Sequence, residues 1–258
     1  MVRDQRLFFS LLISIIMLIT ACGHKDLPRE VTGELILLDS VNVPVPDPAI
    51  ESSLKFYREE FAREMNHVVA FSPFAMRRAS PEGLLNNFVA DLVSEVANEL
   101  YEPGDGQDID FCLLNYGGLR ANLPAGEITR SNVFELMPFE NEMVVLTLSG
   151  EKAYELFEYL AGSDRGMPIS GLKVGIRNGE LGNVLINGKA FDPDRNYKVV
   201  TSDYLAEGGD RMRFFLDPIN TEVLGMRIRD AIMMYMERET ASGKELHAEL
   251  DGRIYVMD

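Results

Sequence analysis

Two short stretches gather the side chains best suited to chemistry. They are Asn115-Tyr116-Gly117-Gly118-Leu119-Arg120 and Tyr204-Leu205-Ala206-Glu207-Gly208-Gly209-Asp210, with Pro138-Phe139-Glu140-Asn141 between them. Together they bring two aromatic rings, an arginine, an aspartate and two asparagines onto glycine-bearing loops. That set suits a flat heterocycle stacked between rings, with a sugar hydrogen-bonded at its edge. Taken singly, each residue has a plainer use. The glycines can serve tight turns, Phe139 can be a core aromatic behind Pro138, and Asp210 can cap a helix. No Gly-x-Ser-x-Gly elbow or Walker-type phosphate loop accompanies them. The sequence speaks more of what is held than of what is done to it.

The elements around these stretches are readable from periodicity. Ile109 to Leu114 reads as a buried strand feeding the Asn115 loop, and Tyr197 to Thr201 as a strand leading into the Tyr204 loop. A glycine-bearing loop at the end of a buried strand is a favoured ligand position in α/β proteins. Residues 33–43 read as a first strand, broken by Val45-Pro46-Asp47-Pro48. Ile50, Leu54, Tyr57, Phe61 and Met65 recur at helical spacing, so 49–65 is an expected amphipathic helix, and His67 to Phe71 a short strand. The widest apolar stripe, from Leu84 to Leu100, predicts a helix over 81–100. Ser131 is the expected cap of a short helix towards Met137, followed by a strand from Met143 to Leu148 and a helix over 150–161. Asn178-Gly179 joins 172–177 to 182–186 as a hairpin. A Met-rich helix is expected over 222–238 and a last strand from Arg253 to Met257. Alternating helices and strands without repeats predict an α/β, layered α+β domain.

The chain has 258 residues, 41 acidic against 25 basic, for a net charge of −16. Nucleic acid is therefore excluded as an expected partner, because neutralising phosphates needs a basic face. A small anion remains compatible, since one or two local arginines overcome a screened global field. Arg3 and Arg6 precede an apolar run from Leu7 to Ile19 that ends in Thr20-Ala21-Cys22. That pattern reads as a secretory signal over 1–21 and too short a run to span a bilayer comfortably. Cys22 directly after the small residue resembles a bacterial lipobox, which makes it the expected lipidation site. The expectation is an exported chain held to a bacterial membrane by acyl groups, with residues 22–32 as a polar tether and 33–258 as the domain. The alternative is an ordinary signal peptide with an incidental cysteine. Cys112, within Phe111-Cys112-Leu113-Leu114, reads as a buried, inert thiol.

Order and spacing of the motifs resemble the C-terminal domain of the 5′-nucleotidase family. The matching residues are Asn115, Gly117, Gly118, Leu119 and Arg120, then Gly126-Glu127-Ile128-Thr129, Pro138-Phe139-Glu140-Asn141, Tyr197-Lys198-Val199, and Tyr204 to Asp210. The resemblance extends over residues 80–258. It implies a nucleotide or nucleoside ligand: Phe139 and Tyr204 would sandwich the base, and Asp210 would accept from the ribose hydroxyls. Arg120 would reach the ribose or phosphate edge, Asn115 and Asn141 would orient sugar and base, and Gly118 belongs to the same turn. Gly171, in Ile169-Ser170-Gly171, would let the base approach the backbone. Arg78 is the nearest match to a further family arginine, displaced by about one residue. Two departures stand out: Tyr204 where Phe is commoner, and Glu207 where the family often has Asn.

The family hydrolyses phosphate esters with two metal ions held in a separate N-terminal domain. Such a centre needs many donors. This chain has three histidines, His24, His67 and His247, and no Asp-x-His, Gly-Asp-x-x-Asp or Gly-Asn-His-Glu segment. Residues 23–80 are also too few for that domain. The resemblance therefore implies the substrate-binding half by itself, with no metal or cofactor in this chain and no catalytic residue. The divalent metals are expected in a separate metallophosphoesterase chain, and a non-catalytic nucleoside-capturing lipoprotein is the alternative.

Overall fold

A computed structural model of the chain describes Gly33, Leu35, Val45 and residues 47–257. The expected signal segment, tether and nearly all of the expected first strand lie outside the described residues. The chain divides into two compact units after Ser52, and the sheets and cores below belong to the second. Asp47 caps α1 (Pro48–Met65), its carboxylate accepting from the amides of Ala49 and Ile50 at 2.8 and 3.3 Å. The helix forms where the spacing placed it, yet none of its residues is buried.

The rest follows as β1 (Val68–Ser72), α2 (Leu84–Leu100), β2 (Phe111–Leu113), β3 (Gly126–Thr129), α3 (Arg130–Leu136), β4 (Glu142–Leu148) and α4 (Gly150–Gly162). Then come β5 (Ile169–Ser170), β6 (Leu172–Arg177), β7 (Glu180–Ile186), β8 (Lys189–Ala190), β9 (Tyr197–Ser202) and α5 (Asp203–Ala206). β10 (Asn220–Arg227), α6 (Ile228–Ala241) and β11 (Ile254–Val256) complete the order. A five-stranded sheet runs β10-β4-β9-β2-β5; a four-stranded sheet runs β11-β6-β7-β8, and β1 pairs with β3. Within the larger sheet β2 and β9 are parallel and the other pairs antiparallel. The layered α/β expectation therefore holds, with helices and mixed sheets.

The larger sheet separates two cores, and the strand period assigns each residue to one of them. Met143 and Val145 of β4, Cys112 of β2 and Val200 of β9 pack with α2 and α6. Val144, Leu146, Phe111, Leu113 and Val199, the residues that alternate with them, pack with α4 and the smaller sheet. A one-residue slip would exchange the two sets, so burial on both faces fixes the register. Leu85, Phe88, Val89, Leu92, Val93 and Val96 give α2 the buried stripe seen in the sequence. Each such side chain contributes roughly 1.5–3 kcal/mol through burial. The Asn178-Gly179 hairpin is present, both residues having positive φ (53° and 78°).

Three expectations are corrected. The helix expected over 222–238 is two elements, because Asn220 to Val223 pair with β4 and a bulge at Gly225 (φ 68°) ends at Arg227 before α6 begins. Thr129, not Ser131, caps α3: its side chain accepts from the Asn132 amide, and Asn132 Oδ1 accepts from the Thr129 amide at 2.9 Å. Helix α2 starts at Leu84 instead of residue 81.

Candidate functional site

Four adjacent strands of the larger sheet end on the same side. β10, β9 and β2 run one way and finish there, while the antiparallel β4 starts there, as the pairings Arg227↔Glu142 and Met143↔Ser202 show. The chain leaves these ends as Asn115, Asn141, Asp203-Tyr204 and Ile228, and a hollow of about 420 Å³ lies between them. Its size falls within the roughly 300–1,000 Å³ usual for small-ligand sites. Asn115, Gly118, Arg120, Phe139, Asn141, Tyr204 and Asp210 all line it. Phe139 and Tyr204 are 41% and 44% exposed, so each offers an open ring face.

The polar groups are held by one another. The Tyr204 hydroxyl donates to Asp210 Oδ1 at 3.0 Å and accepts from the Asp210 amide at 3.2 Å. Asn115 Nδ2 donates to the other carboxylate oxygen at 2.7 Å. Asp210 itself has φ 51°, a left-handed conformation that aspartate tolerates better than most residues. Glycine is required at 209, where a Cβ would meet the Tyr204 ring at 2.5 Å and its carbonyl oxygen at 2.6 Å; a Cβ on Gly118 would stand 2.6 Å from Asn115 Oδ1 and push that side chain aside. Asn141 Nδ2 donates to Asp203 Oδ1 at 2.7 Å, and the same oxygen accepts from the Tyr204 amide at 2.6 Å. The Phe139 loop is anchored from α6. Buried Arg229 donates to the Phe139 carbonyl at 3.3 Å, pairs with Glu140 and lies 4.3 Å over the Phe134 ring. The Arg229 guanidinium beside Glu140 holds that carboxyl below its ordinary value.

Two expected residues do not line the hollow. Arg78 donates to the Tyr116 carbonyl at 3.1 Å and lies 4.7 Å over its ring, so its guanidinium braces the Asn115 turn from behind. Gly171 sits at the β5–β6 corner beside a different depression. Its glycine is required by φ 76° and by the Asp110 carbonyl 2.7 Å from any added Cβ. Glu207 is exposed and borders neither. The sequence reading missed Arg165, which does line the hollow. Neither the Arg120 nor the Arg165 guanidinium has a hydrogen-bond or ion-pair partner among the described residues. The arrangement thus offers two ring faces, a carboxylate acceptor and two uncommitted cations to one bound molecule.

Residues 64–217, more than half of the chain, match the family model described as 5′-nucleotidase, C-terminal domain. The chain belongs to this family. A 5′-nucleotidase of Vibrio vulnificus is 31% identical over 105 residues, which is 39% of this chain and 19% of the relative. An apyrase of Tabanus yao is 25% identical over 229 residues, covering 79% of this chain and 41% of the relative. The crystal structure of a 5′-nucleotidase precursor from Thermus thermophilus aligns with a TM-score of 0.68 at 24% identity, over 81% of this chain and 43% of that one. That likeness shows a shared fold. The 5′-nucleotidase C-terminal domain described here thus spans less than half the length of these relatives. Among the described residues no group of three or more His, Cys, Asp or Glu side chains is placed to hold a metal ion.

Proposed function

We propose that this chain is the nucleotide-binding half of a 5′-nucleotidase-type phosphohydrolase, exported and lipid-anchored through Cys22, with the metal-bearing half on a separate polypeptide. In this reading Phe139 and Tyr204 stack on the base from either side of the hollow. Asp210 takes the ribose hydroxyls, Asn115 and Asn141 orient sugar and base, and Arg120 meets the phosphate edge. The single observation that carries it is the convergence of these seven motif residues, Gly118 included, in one hollow at the ends of four strands. Stacking adds roughly 1–3 kcal/mol per base and tolerates different bases. The export and anchoring rest on the basic start, short apolar run and Ala21-Cys22 of the sequence.

Calorimetric titration of adenosine into the full chain in detergent, beside a Phe139→Ala, Tyr204→Ala double variant, tests the binding. Saturable binding by the native chain and its loss in the variant are the expected results; equal binding by both removes the two rings from the site. Steady hydrolysis of AMP by the purified chain alone would overturn the division of labour between two polypeptides.

A further inference from the structure

Helix α1 leaves its apolar face uncovered. None of its residues is buried, although Leu54, Tyr57, Phe61 and Met65 recur at helical spacing. Phe56, Tyr57 and Phe61 are 65%, 69% and 65% exposed, and the rings of Phe56 and Tyr57 meet edge-on at 5.8 Å. With Phe134 of α3 the stripe walls a groove of about 780 Å³. Single apolar side chains at a surface are ordinary, but a contiguous apolar groove marks a place that something covers.

The charges around this groove cancel. Arg58 and Arg130 stand against Glu60 and Glu64 in its lining. Arg130 Nη1 donates to Glu64 Oε2 at 2.7 Å and links α1 to α3, and its other terminal nitrogen lies 3.6 Å from Glu237 of α6. The whole helix carries Lys55, Arg58 and Arg63 against Glu51, Glu59, Glu60 and Glu64, close to balance in a chain of net charge −16. Rings and a leucine flanked by long-stemmed cations suit the boundary between lipid headgroups and acyl chains. There the rings sit among the apolar groups while the cations reach back to water. Near-neutrality leaves apolar contact, and not attraction to anionic lipid, to supply the binding.

We propose that the exposed face of α1, together with Phe134, seats on the surface of a lipid bilayer, with the helix lying in its plane. The inference rests on the reading of Cys22 as the lipid-bearing residue. Residues 23–47 then lead from the acyl groups to α1, and even fully stretched they span only on the order of 80 Å. The bilayer is therefore the surface that α1 meets at high effective concentration. Acyl groups alone hold a chain to a membrane without orienting it. From Ser53 onward α1 belongs to the same compact unit as the nucleotide hollow, so a seated α1 fixes how that hollow faces the bilayer. One stack joins the two places: Arg229 lies 4.3 Å over the Phe134 ring and donates to the Phe139 carbonyl at 3.3 Å.

The chain contains no tryptophan, so a single introduced indole reports on its own position. The test is the fluorescence of full-chain Phe61→Trp and Val256→Trp variants in phosphatidylcholine vesicles, with and without brominated acyl chains. Val256 is exposed and belongs to the smaller sheet, which packs on the opposite face of the larger sheet from α3 and α6. Phe61→Trp is expected to emit at shorter wavelength than Val256→Trp and to lose emission to the brominated lipid, while Val256→Trp keeps its emission. Adding Phe56→Glu and Tyr57→Glu to Phe61→Trp should abolish both effects, with the chain still attached through Cys22. Equal quenching at the two positions overturns the seat, as does quenching at 61 that survives the two glutamates. If mass spectrometry shows Cys22 without acyl groups, the anchoring reading falls separately. Vesicles added to the same variants then decide: a shift at 61 alone supports the seat, and no shift, or an equal one at 256, overturns it.

Discussion

The hydroxyl of Tyr204 occupies the acceptor that a ribose would need. In the folded chain it donates to Asp210 Oδ1, while Asn115 donates to Oδ2, so an incoming diol must share each oxygen with a contact that is already made. Phenylalanine at 204 keeps the ring face and removes that competitor. Tyr204→Phe is therefore expected to bind adenosine more tightly by about 0.5–1 kcal/mol, a factor of roughly two to five. Weaker binding in the same titration would show that the hydroxyl contacts the ligand instead. At this scale Asn115, Gly118, Arg120, Phe139, Asn141, Tyr204 and Asp210 were legible as neighbours around one hollow, because they sit on loops whose strands could be read from their apolar runs. Arg165 was not, since it lies in an irregular loop after α4 with no motif to mark it. Arg78 lies outside the lining of the hollow because its neighbour Tyr116 claims the guanidinium, and only the folded chain shows that stack.

Helix α6 contributes to the site through Arg229 near its start, which holds the Phe139 loop from below. Arg229→Met keeps the buried volume and loses the hydrogen bond and the ring contact. It is expected to cost about 1–2 kcal/mol in unfolding free energy. It should also weaken adenosine binding several-fold, because Phe139 loses its support; a shift in melting temperature with unchanged affinity would reduce Arg229 to a packing residue. The same contact carries a pH dependence. Glu140 has a folded pKa below its ordinary 4.5, so the stabilisation from Arg229 is complete above that value and disappears as pH falls through the folded one. Thermal melts at successive pH values should show this acid-side loss in the native chain and its absence in Arg229→Met. Helix and strand periods were clear wherever one face is buried, as in α2 and β9. They misled at β10, an edge strand whose Val223, Leu224 and Met226 run into the helix that follows. Gly225 was the available sign of a break, and its bulge is where the two periods change over.

For the molecule as a whole, the central sheet is shared by both cores and by the site. Two layers of side chains lock its register, and four of its strands deliver residues to the same rim. Site and fold therefore stand or fall together, which the sequence could not say, because strand order is set by distant pairings. Cys112 lies in the middle of this sheet, paired opposite Val200 and fully buried. Burial pushes its thiol upward, the Asp91 charge adding to this and Arg253 opposing it, so the reactive thiolate is suppressed in the folded chain. Its alkylation is expected only after denaturation or through rare opening of the sheet. That makes Cys112 a chemical clock for a core residue two positions before the rim of the hollow. When opening is fast and reversible, saturation at about a hundred times Kd should slow the clock about a hundredfold, so occupancy of the site could be timed from a sulfur atom the ligand never touches.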